Sequence, residues 1–135
     1  MNKIGTLNEK SLHSQLKDWY KQEGDILEYK LRNYFIDIKR DNLLIEIQTR
    51  NFSSIKKKLK NLLKYNRVKL VYPLAVLKYI KRISKKDVLL SHRKSPKSAE
   101  IYEIFDELLR IPEIINHENF SFEVVMITEE ETRCE

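Results

Sequence analysis

A chain of 135 residues with 2 glycines, 3 prolines and 41% hydrophobic content fits one domain with a compact core and leaves no room for a low-complexity linker. Its 26 basic and 20 acidic side chains give a formal charge of +6 and a pI near 9.3, a balance that suits an anionic partner and says nothing about fold. The lone cysteine, Cys134, excludes an internal disulfide framework and a cysteine-based zinc site. No apolar run reaches the length of a membrane span and the N-terminus is too polar for a signal peptide, so the expectation is a soluble, cytoplasmic protein without membrane contact.

The predicted elements begin with a helix over residues 6–23. Leu12, Leu16 and Trp19/Tyr20 recur at helical spacing, Thr6-Leu-Asn-Glu9 has the form of a capping box, and Gly24 is a C-terminal stop. Three strands follow, over 25–31, 34–38 and 43–49, with turns at Asn33 and at Arg40-Asp-Asn42. The apolar density of the third strand places it centrally. Ser53 is set to cap a second helix over 55–65, with Ile55, Leu59, Leu62 and Leu63 inward and Lys56, Lys57, Lys58, Lys60 and Lys64 outward. Val68 to Tyr72 reads as a fourth strand closed by Pro73.

In the second half, 76–83 and 88–92 read as a basic hairpin around Ser84-Lys-Lys-Asp87, followed by the basic loop Arg93-Lys-Ser-Pro-Lys97. A third helix is expected over 98–109 with Ile101, Ile104, Phe105, Leu108 and Leu109 inward, and a helical turn over 112–116. Phe120 to Ile127 is a last strand, and Glu129-Glu-Glu131 reads as a frayed acidic end. The fold class is therefore mixed α/β, of the α+β kind, in a single domain.

The stretch that carries chemistry is Tyr34-Phe-Ile-Asp37-Ile-Lys-Arg-Asp-Asn-Leu-Leu-Ile-Glu46-Ile-Gln48. Strand side chains alternate between faces, so Glu46 and Gln48 project together, and Asp37 is expected opposite them across the hairpin. Two carboxylates and an amide on one face suit a hard divalent cation such as magnesium. The competing reading is a polar wet face of an ordinary hairpin. Against that, Glu46 lies inside the most apolar strand, and a buried carboxylate needs a partner.

The order α-β-β-β-α-β, with an acid on the second strand and Glu-x-polar on the third, resembles the PD-(D/E)xK nuclease superfamily, the restriction-endonuclease-like fold, over residues 6–72. Residues 73–135 then complete the domain. The resemblance implies catalytic roles for Asp37, Glu46, Gln48 (at the usual lysine position) and Glu9. It also implies a Mg²⁺ or Mn²⁺ ion held by Asp37, Glu46 and the carbonyl of Ile47, a DNA phosphodiester substrate, and, as in many members, pairing into a homodimer. The glutamine in place of lysine, and Ile36 where a proline or small residue is usual, depart from the pattern. Asn8-Glu9, Ile45-Glu-Ile-Gln-Thr-Arg-Asn-Phe52 and Arg93-Lys-Ser-Pro96 also give the whole chain a resemblance to an uncharacterised prokaryotic family.

Arg50, Lys56, Lys85, Lys86, Arg93 and Lys94 are the candidate nucleic-acid contacts, each weighed against a merely solvated surface. His13, His92 and His117 lack metal-ligand spacing and read as structural or exposed. The absence of a Gly-rich phosphate loop argues against an ATPase or dinucleotide enzyme. Three functions remain: a metal-dependent nuclease acting on DNA, a catalytically inactive nuclease-fold module that binds nucleic acid, and a basic α/β interaction domain.

Overall fold

The computed structural model describes the backbone of residues 2–6, 9–97 and 100–135 and the side chains of 11–97 and 100–135. Along the chain run β1 (Asn2–Thr6), α1 (Glu9–Tyr20), β2 (Ile26–Leu31), β3 (Tyr34–Arg40), β4 (Leu43–Ile47), a 3-10 turn at Phe52–Ile55, α2 (Lys56–Leu63), β5 (Arg67–Ile83), β6 (Leu89–Lys94), α3 (Tyr102–Leu108), α4 (Pro112–Ile115) and β7 (Phe120–Cys134). The strands form one mixed seven-stranded sheet in the order β1-β7-β5-β4-β3-β2, with β6 paired to β5. The mixed α+β class read from the sequence is the one observed, and from α1 to β5 the elements follow the expected order.

Alternation explains the layering. Leu44, Val68, Leu70, Tyr72 and Leu74 turn to one face and pack on Leu59, Leu62 and Leu63 of α2 and on Ile111 and Ile114. Ile45, Ile47, Val71, Val125 and Ile127 turn to the other face and pack on Leu16 of α1. Both faces of β4 and of the first half of β5 are thus covered, as their near-continuous apolar runs require. Phe52, with no exposed surface, meets Tyr72 and Phe122 edge-on and anchors the turn into α2. Among the described residues no helix is long and apolar enough to cross a membrane.

Several expectations are corrected. β5 does not stop at Pro73 but runs 17 residues through it. The main-chain groups of alternate residues face opposite edges: Val68 N–H donates to Asn119 O on the β7 side, and Val71 O accepts from Gln48 N on the β4 side. Pro73 shares the edge of Val71, where β4 pairing has just ended and β6 pairing has not begun. Its missing N–H therefore costs no ladder bond. Likewise β7 continues through Glu129–Glu131, held between β1 and β5. Lys78 Nζ lies 3.2 Å from Glu131 Oε2, and His92 Nε2 lies 3.0 Å from Glu130 Oε2.

Ser53 caps nothing; no side chain of the turn or of α2 does so. The buried Glu107 carboxylate of α3 instead accepts the N–H groups of Asn51 and Phe52. α3 is shorter than expected, and Ile101, Phe105 and Leu109 are exposed, because the helix packs through Ile104 and Glu107. Strand β1 was not anticipated. The Thr6–Glu9 capping box, the Glu9 carboxylate and Ser98 lie outside the described residues.

Candidate functional site

The β3–β4 hairpin pairs regularly near its turn, from Arg40↔Leu43 to Ile38↔Ile45. One step further out, side chains take over from the main-chain ladder. Ile47 N–H donates to Asp37 Oδ2 at 2.9 Å, and Asp37 N–H donates to Glu46 Oε1 at 3.2 Å. The two carboxylates thus interlock in the mouth of the hairpin, at the C-terminal end of β4, and both are buried.

They do not share a face with each other, as simple alternation had suggested. Asp37 Oδ2 lies 3.1 Å from His13 Nε2 on α1. Glu46 Oε2 accepts from Lys58 Nζ, on α2, at 3.0 Å. The physical reason is a rotation of β3. Ile36 packs in the α2-side core and Ile38 in the α1-side core, whereas an unbroken pleat would put both on one side. Opposite the break stands Glu28, at φ 49, a left-handed conformation rare for such a residue. Strain of this kind collects where a fold needs a side chain re-aimed.

Gln48 also departs from expectation. Its amide nitrogen donates to Arg50 O at 2.8 Å, Asn51 O at 3.3 Å and Ser54 Oγ at 3.2 Å. The left-handed turn at Asn51 leaves loop carbonyls turned inward, and the Gln48 amide satisfies them instead of facing the carboxylates. Ile47 belongs to the site: its N–H points to the β3 side, and the same strand geometry sends its carbonyl to that edge.

Burial, then the neighbouring Asp37 charge, pushes the Glu46 carboxyl up to about 7 despite the Lys58 ammonium. The hydrogen bond to Asp37 holds the His13 imidazole above its ordinary value, against the opposing effect of burial. Mg²⁺ takes oxygen ligands, keeps several waters and is commonly held by one or two carboxylates plus a substrate phosphate. From the protein's side, Lys58 and the Asp37 N–H already meet the two oxygens of Glu46. Among the described residues no cluster of three or more His, Cys, Asp or Glu groups is arranged around a metal position, so a full protein cage is absent there.

Lys58 and His13 are the residues that sequence reasoning missed. Both had a signal. Lys58 stands three after Ile55 and four before Leu62, on the edge of the inner helix face. His13 follows Glu9 by one helical turn. Of the predicted nucleic-acid contacts, Lys85, Lys86, Arg93 and Lys94 are exposed on the β5–β6 hairpin and Arg50 is exposed in the loop after β4, while Lys56 pairs with Glu113 at 2.9 Å. A cleft of about 260 Å³, lined by Leu12, Thr49, Pro73, Lys78 and Lys97 among others, opens beside the same end of β4.

Residues 10–135 match the family described as a domain of unknown function, DUF8091. A relative from Treponema pallidum (strain Nichols), described as an uncharacterized protein, is 34% identical over 128 residues, covering 94% of this chain and 51% of its own length. The chain therefore spans about half the length of that curated relative. No solved structure matches.

Proposed function

We infer that this chain, which belongs to the DUF8091 family, is a metal-dependent nuclease acting on the phosphodiester bonds of DNA. The observation that carries the reading is the pair of interlocked, buried carboxylates, Asp37 and Glu46, at the opened mouth of the β3–β4 hairpin. The α-β-β-β-α-β order of α1 to β5 supports it, as does the exposed basic hairpin.

Asp37, Glu46 and the Ile47 carbonyl would hold Mg²⁺ or Mn²⁺. When bound, the cation polarises a phosphate oxygen and makes a bound water more acidic. In hydrolysis the water oxygen bonds to phosphorus and the bond to one ester oxygen breaks. The water gives its proton to solvent, and the departing oxygen takes one from solvent. His13 orients the Asp37 carboxylate, and Lys58 orients that of Glu46. Arg50, Lys85, Lys86, Arg93 and Lys94 would track the phosphate backbone.

One observation favours the reading of a nucleic-acid-binding module without catalysis: the Gln48 amide is engaged with its own loop. Calorimetric titration with Mg²⁺ and Mn²⁺, beside a cleavage assay on plasmid, junction and single-stranded DNA, separates the two. The nuclease reading expects divalent-cation binding at millimolar concentration or below and cleavage abolished by Glu46→Gln. DNA binding with no metal binding and no cleavage leaves the binding module.

A further inference from the structure

We propose that the surface around Tyr65 binds a segment of single-stranded nucleic acid, stacking its bases on tyrosine rings and holding its phosphates with Arg32, Lys39 and Arg67. Neither Asp37 nor Glu46 belongs to this surface and no metal is needed there, so the inference does not rest on the nuclease reading. Two clefts adjoin at Tyr65, which lines both. One, of about 340 Å³, lies between Tyr29 and Lys39 on the sheet and Tyr65 to Arg67 at the end of α2. That volume is within the range of small-ligand sites. The other, of about 110 Å³, runs between Arg32 and the last turn of α2. Among the described residues no carboxylate lines either cleft. Other cations around the sheet are paired with acids: Arg40 with Asp25, Lys56 with Glu113, Lys78 with Glu131. Arg32 and Lys39 lie on rings instead. Arg32 Cζ is 5.1 Å from the centre of the Tyr65 ring, and Lys39 Nζ is 5.0 Å from that of Tyr29. Positive charge interleaved with aromatic faces matches a chain that alternates phosphates with bases.

Local structure builds the surface from both sides. α2 ends at Leu63, and Asn66 closes it, its main-chain N–H and its side-chain amide each donating to Leu62 O at 3.0 Å. Tyr65, in the same turn, is left 74% exposed, so its ring gives the core almost nothing and is open to a planar partner. Across the gap the β2–β3 turn consists of two residues, Arg32 and Asn33, between the paired Leu31 and Tyr34. Arg32 stands at φ 56, a left-handed conformation that Asn or Gly fills at least cost in so tight a turn. An arginine placed against that preference is a local conflict of the kind that collects at functional positions, and its guanidinium reaches the Tyr65 ring. Asn61 Nδ2 donates to Tyr34 Oη at 2.7 Å and ties α2 to β3, so the gap is set before any ligand arrives. A duplex keeps its base faces inside the stack, and an acidic peptide carries no ring beside each charge. A single strand presents both together.

The test is made in EDTA, so that no metal-dependent step contributes. Fluorescence anisotropy follows the binding of a labelled decathymidylate, a decauridylate and an abasic strand of the same length. Wild type should bind at least one of the base-bearing strands several-fold more tightly than the abasic one. Tyr65→Ala should weaken that binding by roughly 5- to 150-fold, the range for one stacked base, and erase the preference, while Tyr65→Phe, which keeps the ring, should retain it. Arg32→Asn and Arg67→Gln should each reduce the slope of log affinity against log salt by about 0.7. Alanine at Lys85, Lys86, Arg93 and Lys94 should leave the preference for bases intact. Each variant is first checked for folding by urea unfolding. A further readout needs no substitution: a strand carrying 4-thiothymidine should crosslink to wild type within residues 29–39 or 61–67. Equal affinity for the abasic strand overturns the proposal, as does a preference that survives Tyr65→Ala or is lost in Tyr65→Phe. Salt slopes unchanged in both arginine variants, or crosslinks confined to residues 85–94, overturn it too. Polyglutamate competing as well as the strand would make this a surface for acidic protein and overturn it likewise. Every readout is metal-free, so failure here leaves the nuclease reading standing, and failure of that reading leaves this site standing.

Discussion

A carboxylate kept out of water beside another carboxylate is expensive unless something neutralises it, and Glu46 shows how this fold manages the expense. Lys58 covers one oxygen and the Asp37 amide the other, yet burial still holds its carboxyl near 7, well above the ordinary value of 4.5. The folded protein therefore binds a proton that the unfolded chain releases between those two values. The sign follows: this contribution to stability is complete below about 4.5 and declines as pH rises through about 7. His13 acts in the same direction. Its raised folded value adds stability below its ordinary 6.5, and that is lost as pH rises past the folded value. The urea midpoint of the metal-free protein is thus expected to fall between pH 5 and pH 8, and Glu46→Gln should flatten most of the change. A midpoint that rises over this range would show that Glu46 is ionised without penalty. Mg²⁺ added at pH 8 should restore part of the lost stability, because it binds only the folded carboxylate pair.

At the level of elements, two contacts from distant sequence decide how the hairpin is presented. The Glu107 carboxylate, on α3, accepts the N–H groups of Asn51 and Phe52 and so fixes the chain between β4 and α2. Glu107→Ala should leave the buried Phe52 N–H and the part-buried Asn51 N–H without their acceptor and cost on the order of 1–3 kcal/mol, read from urea unfolding. The same variant should loosen the loop to which Gln48 is bonded. Pro73 gives the opposite expectation. Its absent N–H faces the stretch of β5 edge between β4 and β6, so Pro73→Ala restores no ladder bond. It should change stability by about 1 kcal/mol or less, mostly through the unfolded chain. A gain much larger than this would mean that the proline breaks a bond in β5.

For the molecule as a whole, charge is distributed unevenly. β7 places Glu130 against His92 and Glu131 against Lys78, so the Lys78 charge at the base of the hairpin is already neutralised. The exposed cations Lys85, Lys86, Arg93 and Lys94 stand further out. From Val71, level with Ile47, to Tyr79, where β6 pairing begins, is eight residues of strand, or ~26 Å. The hairpin is thus an arm long enough to meet DNA away from the carboxylates. DNA affinity should fall linearly with log salt. Replacing those four cations with alanine should reduce the slope by up to about 4 while leaving divalent-cation binding unchanged. An unchanged slope, measured by fluorescence anisotropy from 50 to 300 mM salt, would mark the arm as simply solvated.

Local pattern alone was enough for the hairpin around Asp41, the inner face of α2, the buried position of β4 and the presence of two carboxylates at its mouth, because alternation and helical spacing are properties of consecutive residues. Contacts across the fold decided the rest. Whether Pro73 ends a strand depends on which edge has a neighbour, and whether Glu129–Glu131 frays depends on strands β1 and β5 lying on either side. The turn of Asp37 toward His13 depends on a left-handed Glu28 in the adjacent strand. Lys58 was one lysine in a run that read equally as a solvated face or a phosphate contact, until α2 packed on the sheet and laid its ammonium on Glu46. Spacing along a chain determines which face a side chain takes; only the assembled sheet and helices determine which charge it meets there.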